Sequence, residues 1–433
     1  MLEPPGVNAI RVARRAASGA LLSLLLVLVA GPVEAQGTVP LSGGETTREQ
    51  DDEEPILDIR WDQGLVVEAL RKSFTLRVGG SAQNDSAAFS DGGTEAPRGT
   101  IQNGVEWRRA RIFAEGIFAR HFVYKFQYDF AVNNPPNLKD AYLQFNAPVI
   151  PLIVRGGRFR TPLGLEGYTS GMDTTFMERG LIDAFAPSRN SGVLFISDSN
   201  RQAHNFRVTV GGVKPEDDVG IGSTDLFGVA GRFSYAFQPR QGDFLVHAGG
   251  DYSRRPVDET VRFLQRPESH IAPQFTDTGD ISAQGVDTGI FEFALIKGPL
   301  SFQTEATIVS VNRSDHGLVN PFFWGGYGFV SWFITGESRP YDEARGNIGR
   351  LHPDRPFGGP DGEGYGALEI AFRVSHLDTS DEDINGGRLM DFTAAFNWYA
   401  TRNARVLANV IRSDASLLEE PVWIAQVRLQ WAY

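Results

Sequence analysis

Five aromatic side chains stand at every second position of one short stretch: Phe122, Tyr124, Phe126, Tyr128 and Phe130. Between them lie Val123, Lys125, Gln127 and Asp129, so one face is wholly aromatic and the other mostly polar. A repeat of two places alternate residues on opposite faces of a β-strand and is incompatible with a helix. A soluble sandwich would bury such a face as core. A membrane barrel would turn it to lipid, with aromatic girdles at the two interfaces.

The alternation recurs along the chain. Phe227, Val229, Gly231, Phe233, Tyr235 and Phe237 oppose Arg232 and Ser234; Phe302 and Ile308 oppose Gln303, Glu305 and Thr307. Leu368, Ile370, Phe372 and Val374 oppose Glu369, Arg373 and Ser375, and Phe392, Ala394, Phe396 and Trp398 oppose Thr393 and Asn397. Asn133-Asn134-Pro135-Pro136, Lys297-Gly298-Pro299 and Thr401-Arg402-Asn403 supply turn residues between such runs. The final strand alternates to the last residue, with Trp423, Ala425, Val427, Leu429, Trp431 and Tyr433 on one face. An aromatic carboxy-terminus on an alternating strand is similar to the sorting signal of outer-membrane barrels, although Phe is the usual last residue there.

The amino-terminus points to export. Arg11, Arg14 and Arg15 precede an apolar run over Ala16–Ala30, and Val33-Glu34-Ala35 offers small residues at −3 and −1. That layout is a secretory signal peptide over 1–35, cleaved after Ala35, and the run is short for a membrane anchor. Residues 36–55, with Asp51-Asp52-Glu53-Glu54, read as an acidic disordered leader, and 56–433 as the folded unit. No later stretch reaches 18 apolar residues. A mean hydropathy of −0.22 does not exclude a barrel, which hides its apolar surface in alternation. Removing 35 residues from 433 leaves 398. Spread over about 16 strands, that is about 25 residues for each strand and connection, which suits a barrel with a water-filled lumen.

Composition removes several function classes. There is no Cys, so disulfides, thiolate metal sites and a Cys nucleophile are excluded. A net charge of −12 argues against a nucleic-acid partner. The seven His residues show no His-Glu-x-x-His spacing, and there is no Gly-x-Ser-x-Gly elbow, phosphate-binding Gly loop or dinucleotide fingerprint. Asp381-Glu382-Asp383-Ile384-Asn385-Gly386 matches half an EF-hand loop, but Phe392 stands where a bidentate Glu is needed, so it reads as a hairpin turn. No catalytic residue, metal or cofactor is expected.

Several strings in order look like the phosphate-selective porin O/P family. They include Arg108-Arg109-Ala110-Arg111-Ile112, Tyr124 to Phe130, Asp140-Ala141-Tyr142-Leu143 and Gly157-Arg158-Phe159-Arg160-Thr161-Pro162. Thr174-Thr175-Phe176-Met177-Glu178-Arg179-Gly180, Ala184 to Arg189, Phe333 to Tyr341, Asn385-Gly386-Gly387 and Phe396-Asn397-Trp398-Tyr399 follow, so the resemblance runs from about residue 74 to 433. It implies an all-β transmembrane antiparallel barrel of 16 strands in the Gram-negative outer membrane. It also implies a homotrimer, an inward-folded constriction loop and a basic path for small anions, phosphate or polyphosphate among them.

Parity places Arg77, Arg109, Arg111, Lys125, Arg207, Arg232, Arg373 and Arg428 on inward faces, together with Glu115, Asp129, Asp140, Glu292, Glu305 and Glu369. Arginine suits phosphate because its planar fork donates bidentately and stays charged. The segment from Pro162 to Arg201 is the expected constriction loop. It carries Arg179, Arg189 and Arg201 against Glu166, Asp173, Glu178, Asp183 and Asp198, an acidic balance, and the whole chain holds five Lys. An anion-selective channel, a general or differently selective porin, a structural or adhesive barrel and a barrel hydrolase all stay open at this level.

Overall fold

The computed structural model describes residues 57–433, apart from 63, 70–71, 91, 132–137, 188, 202, 217–224, 240–243 and 360–363; at 200 and 201 it describes backbone only. The expected signal peptide and leader, residue 56 and the Asn133–Pro136 turn lie outside the described residues.

A short hairpin comes first, β1 (Leu57–Trp61) and β2 (Leu65–Ala69). Sixteen long strands follow. They are β3 (Phe74–Phe89), β4 (Gly104–Phe118), β5 (Phe122–Asp129), β6 (Leu138–Asn146), β7 (Ile153–Arg160), β8 (Arg189–Arg201), β9 (His204–Lys214) and β10 (Gly228–Phe237). The second half comprises β11 (Phe244–Pro256), β12 (Ile281–Lys297), β13 (Leu300–Arg313), β14 (Phe322–Phe333), β15 (Ala367–Asp381), β16 (Ile384–Tyr399), β17 (Ala404–Ala415) and β18 (Val422–Ala432). Each pairs antiparallel with the next, and β18 returns to β3 in the register Ile424↔Phe89 to Ala432↔Ser81. The sheet is therefore a closed barrel. The last residue seals the seam: Gly80 and Tyr433 exchange both backbone hydrogen bonds, at 2.8 and 2.9 Å.

The aromatic alternation faces outward. Phe126 is 50% and Phe372 47% exposed on the isolated chain, as are the large apolar residues beside them on neighbouring strands. Phe118, Phe122 and Phe145 stack around one rim, with ring centroids 5.0 and 5.2 Å apart. No helix among the described residues is long and apolar enough to cross a membrane, which says nothing about strands. The inside is polar: Arg373, Arg428, Glu292, Glu369 and Asn397 have no exposed surface at all. An apolar cluster of Phe185, Phe263, Phe275, Phe323 and strand residues such as Val311 and Leu377 fills part of one end.

Connections at that end are long, at 90–103, 161–188 and 257–280, and those at the other are short, at 119–121, 298–299 and 400–403. The exceptions are a tight turn over Glu382–Asp383 at the long-loop end and a long connection over 334–366 at the short-turn end. The half EF-hand motif is thus a hairpin turn, with Asp383 paired to Arg313. Hairpin β1–β2 extends the wall where β18 stops, since Leu65 pairs with Val78 of β3 and Asp62 with Arg402 at 2.9 Å.

An outward-facing charge meets hydrocarbon in such a barrel. Phe372→Arg is expected to cost about 2–4 kcal/mol. Urea titration of folding into lipid vesicles measures this as a lowered midpoint.

Candidate anion pathway and its constriction loop

The connection over 161–188 folds into the barrel. Strand β8 begins at Arg189, so the loop is shorter than the 162–201 expected from sequence, and Arg189 and Arg201 belong to the wall. The reason is local: Val193 and Phe195 resume the repeat of two and pair with both β7 and β9, and Ser197 continues the pairing with β9. The Arg201 side chain lies outside the described residues.

The loop's first turn is α1 (Leu165–Tyr168). Wall carboxylates receive it, with the Gly164 N–H donating to Asp251 Oδ2 and the Glu166 N–H to Glu305 Oε1, both at 2.6 Å. Gly164 has φ +72°, and a Cβ there would stand 2.8 Å from the Glu305 carboxylate. Further on the polarity reverses and wall donors hold loop carbonyls. Gln83 donates to Gly171 O at 3.0 Å, Gln430 to Met172 O at 2.8 Å and Asn397 to Thr175 O at 2.8 Å. Arg428 donates to Met177 O and Arg373 to Glu178 O.

The loop's acids are then absorbed one by one. Glu178 receives a bidentate fork from Arg108 at 2.9 and 3.0 Å and a third bond from Arg428 at 2.6 Å. Glu166 takes Arg373 at 3.2 Å and the Gly180 N–H at 2.9 Å. Asp173 pairs with Arg350 at 3.0 Å, and Asp183 lies 4.0 Å from Arg179. Burial pushes the Glu178 carboxyl up, but Arg108, Arg428 and Arg109 outweigh it and hold it well below the ordinary carboxylate range. At Glu166 burial wins over Arg373 and the carboxyl is raised. Two of the loop's acids, Glu166 and Glu178, are therefore spent on wall arginines, while Asp173 lines the cavity beside Arg350 and Asp183 stays partly exposed.

Toward the short-turn end the loop roofs a cavity of about 380 Å³. Four of the cations singled out by sequence line it: Arg77, Arg111, Lys125 and Arg189. Arg155, Arg160, Arg345, Arg350 and Arg402 join them, making nine cations against Asp140, Asp173 and Asp342. Glu115, Asp129 and Asp62 pair with lining cations from outside the lining, which still leaves the cations in excess. Arg155 and Arg160 have no carboxylate partner among the described residues: Arg155 bonds Gln144 at 2.9 Å, and Arg160 bonds Gly167 O. The Tyr168 hydroxyl registers this field. Burial alone would raise it, yet Arg155, Arg207 and Arg232 pull it below its ordinary value. The 334–366 connection floors the cavity, through Asn347 to Tyr168 O at 2.9 Å and Arg232 to Gly346 O at 2.8 Å.

The remaining residues expected to line the pore have other work. Arg373 and Arg428 anchor the loop, and Arg428 also holds Asp85 at 2.6 and 2.7 Å. Arg232 forks onto Glu292 at 2.9 and 2.7 Å, and Arg207 pairs with Asp198 at 3.2 Å. Arg109 is buried against Gln83 and Gly171, and Arg179 folds back onto Glu166 O and Thr169 O of its own loop.

Parity missed Arg108. The pairing of β3 with β4 jumps from Gln83↔Arg109 to Asn84↔Trp107, so Arg108 is the extra residue of a bulge and points inward beside Arg109. The signal was present: outward apolar residues sit at 105 and 107, then at 110 and 112. Arg345, Arg350 and Arg402 lie in connections, where no periodicity reports direction.

Residues 77–433 match the family described as phosphate-selective porin O and P. The chain belongs to that family. Porin O of Pseudomonas aeruginosa is 22% identical over 444 residues, covering 92% of this chain and 94% of its own. An uncharacterized protein of Caulobacter vibrioides is 27% identical over 338 residues, which span 73% of this chain but only 65% of that relative's length. Among solved structures, OmpT of Vibrio cholerae in a trimer form covers 83% of this chain and 99% of its own, with a TM-score of 0.52 at 11% identity. The protein is thus an outer-membrane porin.

The Glu178 carboxylate contributes stability that is complete above the ordinary Glu pKa of about 4.3 and is lost as pH falls toward its lower folded value. Glu178→Gln should therefore lower the unfolding temperature at pH 7. The gap to wild type should persist to about pH 4 and close below it, as thermal melts in detergent would record.

Proposed function

We propose that this porin passes small anions, phosphate among them, by passive diffusion, with no chemistry and no cofactor. The observation that carries this is the cavity beneath the constriction loop, where nine cations meet three acids. Charge lining a wet pore sets which ion enters, whatever the net charge of the whole chain. Arg155 and Arg160, with Arg111 and Arg189 beside them, offer an anion several partial partners in succession. It can exchange water for guanidinium N–H groups without being trapped by any one of them.

The same reading gives the remaining residues their roles. Arg77, Lys125, Arg345, Arg350 and Arg402 carry the anion toward the periplasm. Arg108, Arg373 and Arg428 set the width of the constriction through the loop they hold. Export follows cleavage after Ala35, and the working assembly is a homotrimer, a reading supported by the trimeric form of the structural neighbour.

Single-channel recording under a salt gradient tests this. The reversal potential should sit on the anion side, and phosphate should reduce chloride current. Arg155→Ala with Arg160→Ala should move the reversal potential toward zero and weaken phosphate block several-fold. Conductance with no anion preference would make this a general porin. A folded barrel with no conductance would point to a structural role.

A further inference from the structure

Most deeply buried arginines in this lumen face a carboxylate. Arg232 has Glu292, Arg373 has Glu268 and Glu166, and Arg428 has Asp85 and Glu178. Arg255, near the long-loop end of β11, is the contrast. It is 2% exposed, and among the described residues it makes one hydrogen bond, from Nη2 to the Phe185 carbonyl at 3.2 Å, and no ion pair with a carboxylate. Its Nε–H is buried without a partner.

Polar groups around it share that condition. Ser253, two residues earlier on the same face of β11, pairs in register with Thr288 of β12. Both hydroxyls are buried with no hydrogen-bond partner among the described residues. Phe185, Val257 and Val286 belong to the apolar cluster that closes this side from solvent. A guanidinium does not lose its proton in a protein, so its charge has to be met. Water would satisfy the Nε–H and the hydroxyls and leave the charge uncompensated in an apolar surround, which is the costly part.

We infer that a small monovalent anion, chloride-sized, resides against Arg255 between the constriction loop and the β11–β13 wall. It takes the free guanidinium N–H, with the Ser253 and Thr288 hydroxyls able to turn toward it. One guanidinium without a carboxylate among the described residues matches one negative charge, and its burial favours a small ion over a large one. The site does not line the 380 Å³ cavity and is separate from the conducting path. Its anion is a structural counter-ion that lets an arginine sit beside Phe185 and hold the end of the constriction loop.

Crystals of the full chain grown in bromide test this by anomalous scattering. A bromide peak in contact with the Arg255 guanidinium, absent in Arg255→Met, is the expected result. In solution, exchanging chloride for gluconate at constant ionic strength should lower the unfolding temperature of the wild type and leave Arg255→Met unresponsive. Waters alone at Arg255, a carboxylate side chain reaching it, or no peak there while bromide appears elsewhere would each overturn the inference. The wild-type crystal decides the matter even where Arg255→Met fails to fold.

Discussion

A wall one strand thick, with hydrocarbon outside, leaves every charge of the spanning segments one direction to point. That constraint produces the rest of the molecule. The backbone is satisfied by closure from β18 to β3, so the outer face has only to be apolar, and alternation supplies that face. Everything polar on the same strands then accumulates inside. The interior of this protein is accordingly an ionic core, with fully buried Arg373, Arg428, Glu292 and Glu369 where a soluble domain would hold leucine and phenylalanine.

An ionic core needs internal partners, and much of the constriction loop serves that need. Wall arginines receive Glu178, Glu166 and a run of loop carbonyls, in addition to the Asp85 and Glu268 that Arg428 and Arg373 already face. The loop in turn is placed by those bonds, because its own α1 is four residues long and cannot hold a position by itself. Removing either partner leaves a buried charge behind, which makes the arrangement hard to loosen gradually. The division of labour follows. Arginines near the loop are spent on structure, and of those below it Arg155 and Arg160 have no carboxylate partner among the described residues.

Much of this was legible in the residues. The period-2 segments at 122–130 and 422–432 announced outward apolar faces, and Arg77, Arg111 and Lys125 do line the cavity as parity requires. Parity failed at Arg108 because a bulge shifts the phase by one residue, and a shift of one exchanges inside for outside. The loop's acidic balance was counted correctly, but it did not reveal which of those acids would be paired. Charge on a segment says nothing of what it will pair with, and Glu178 and Asp173 meet arginines 70 and 177 positions distant in the chain.

By itself the sequence determined the class of the object. The hydrophobic period is a local property, read within a few residues of each strand, and its recurrence along the chain allows a closed barrel. Tertiary structure alone decided which arginines line the cavity and which hold a loop. That choice depends on whether a carboxylate from a remote segment arrives within hydrogen-bonding distance, and such distances are set by closure of the whole barrel.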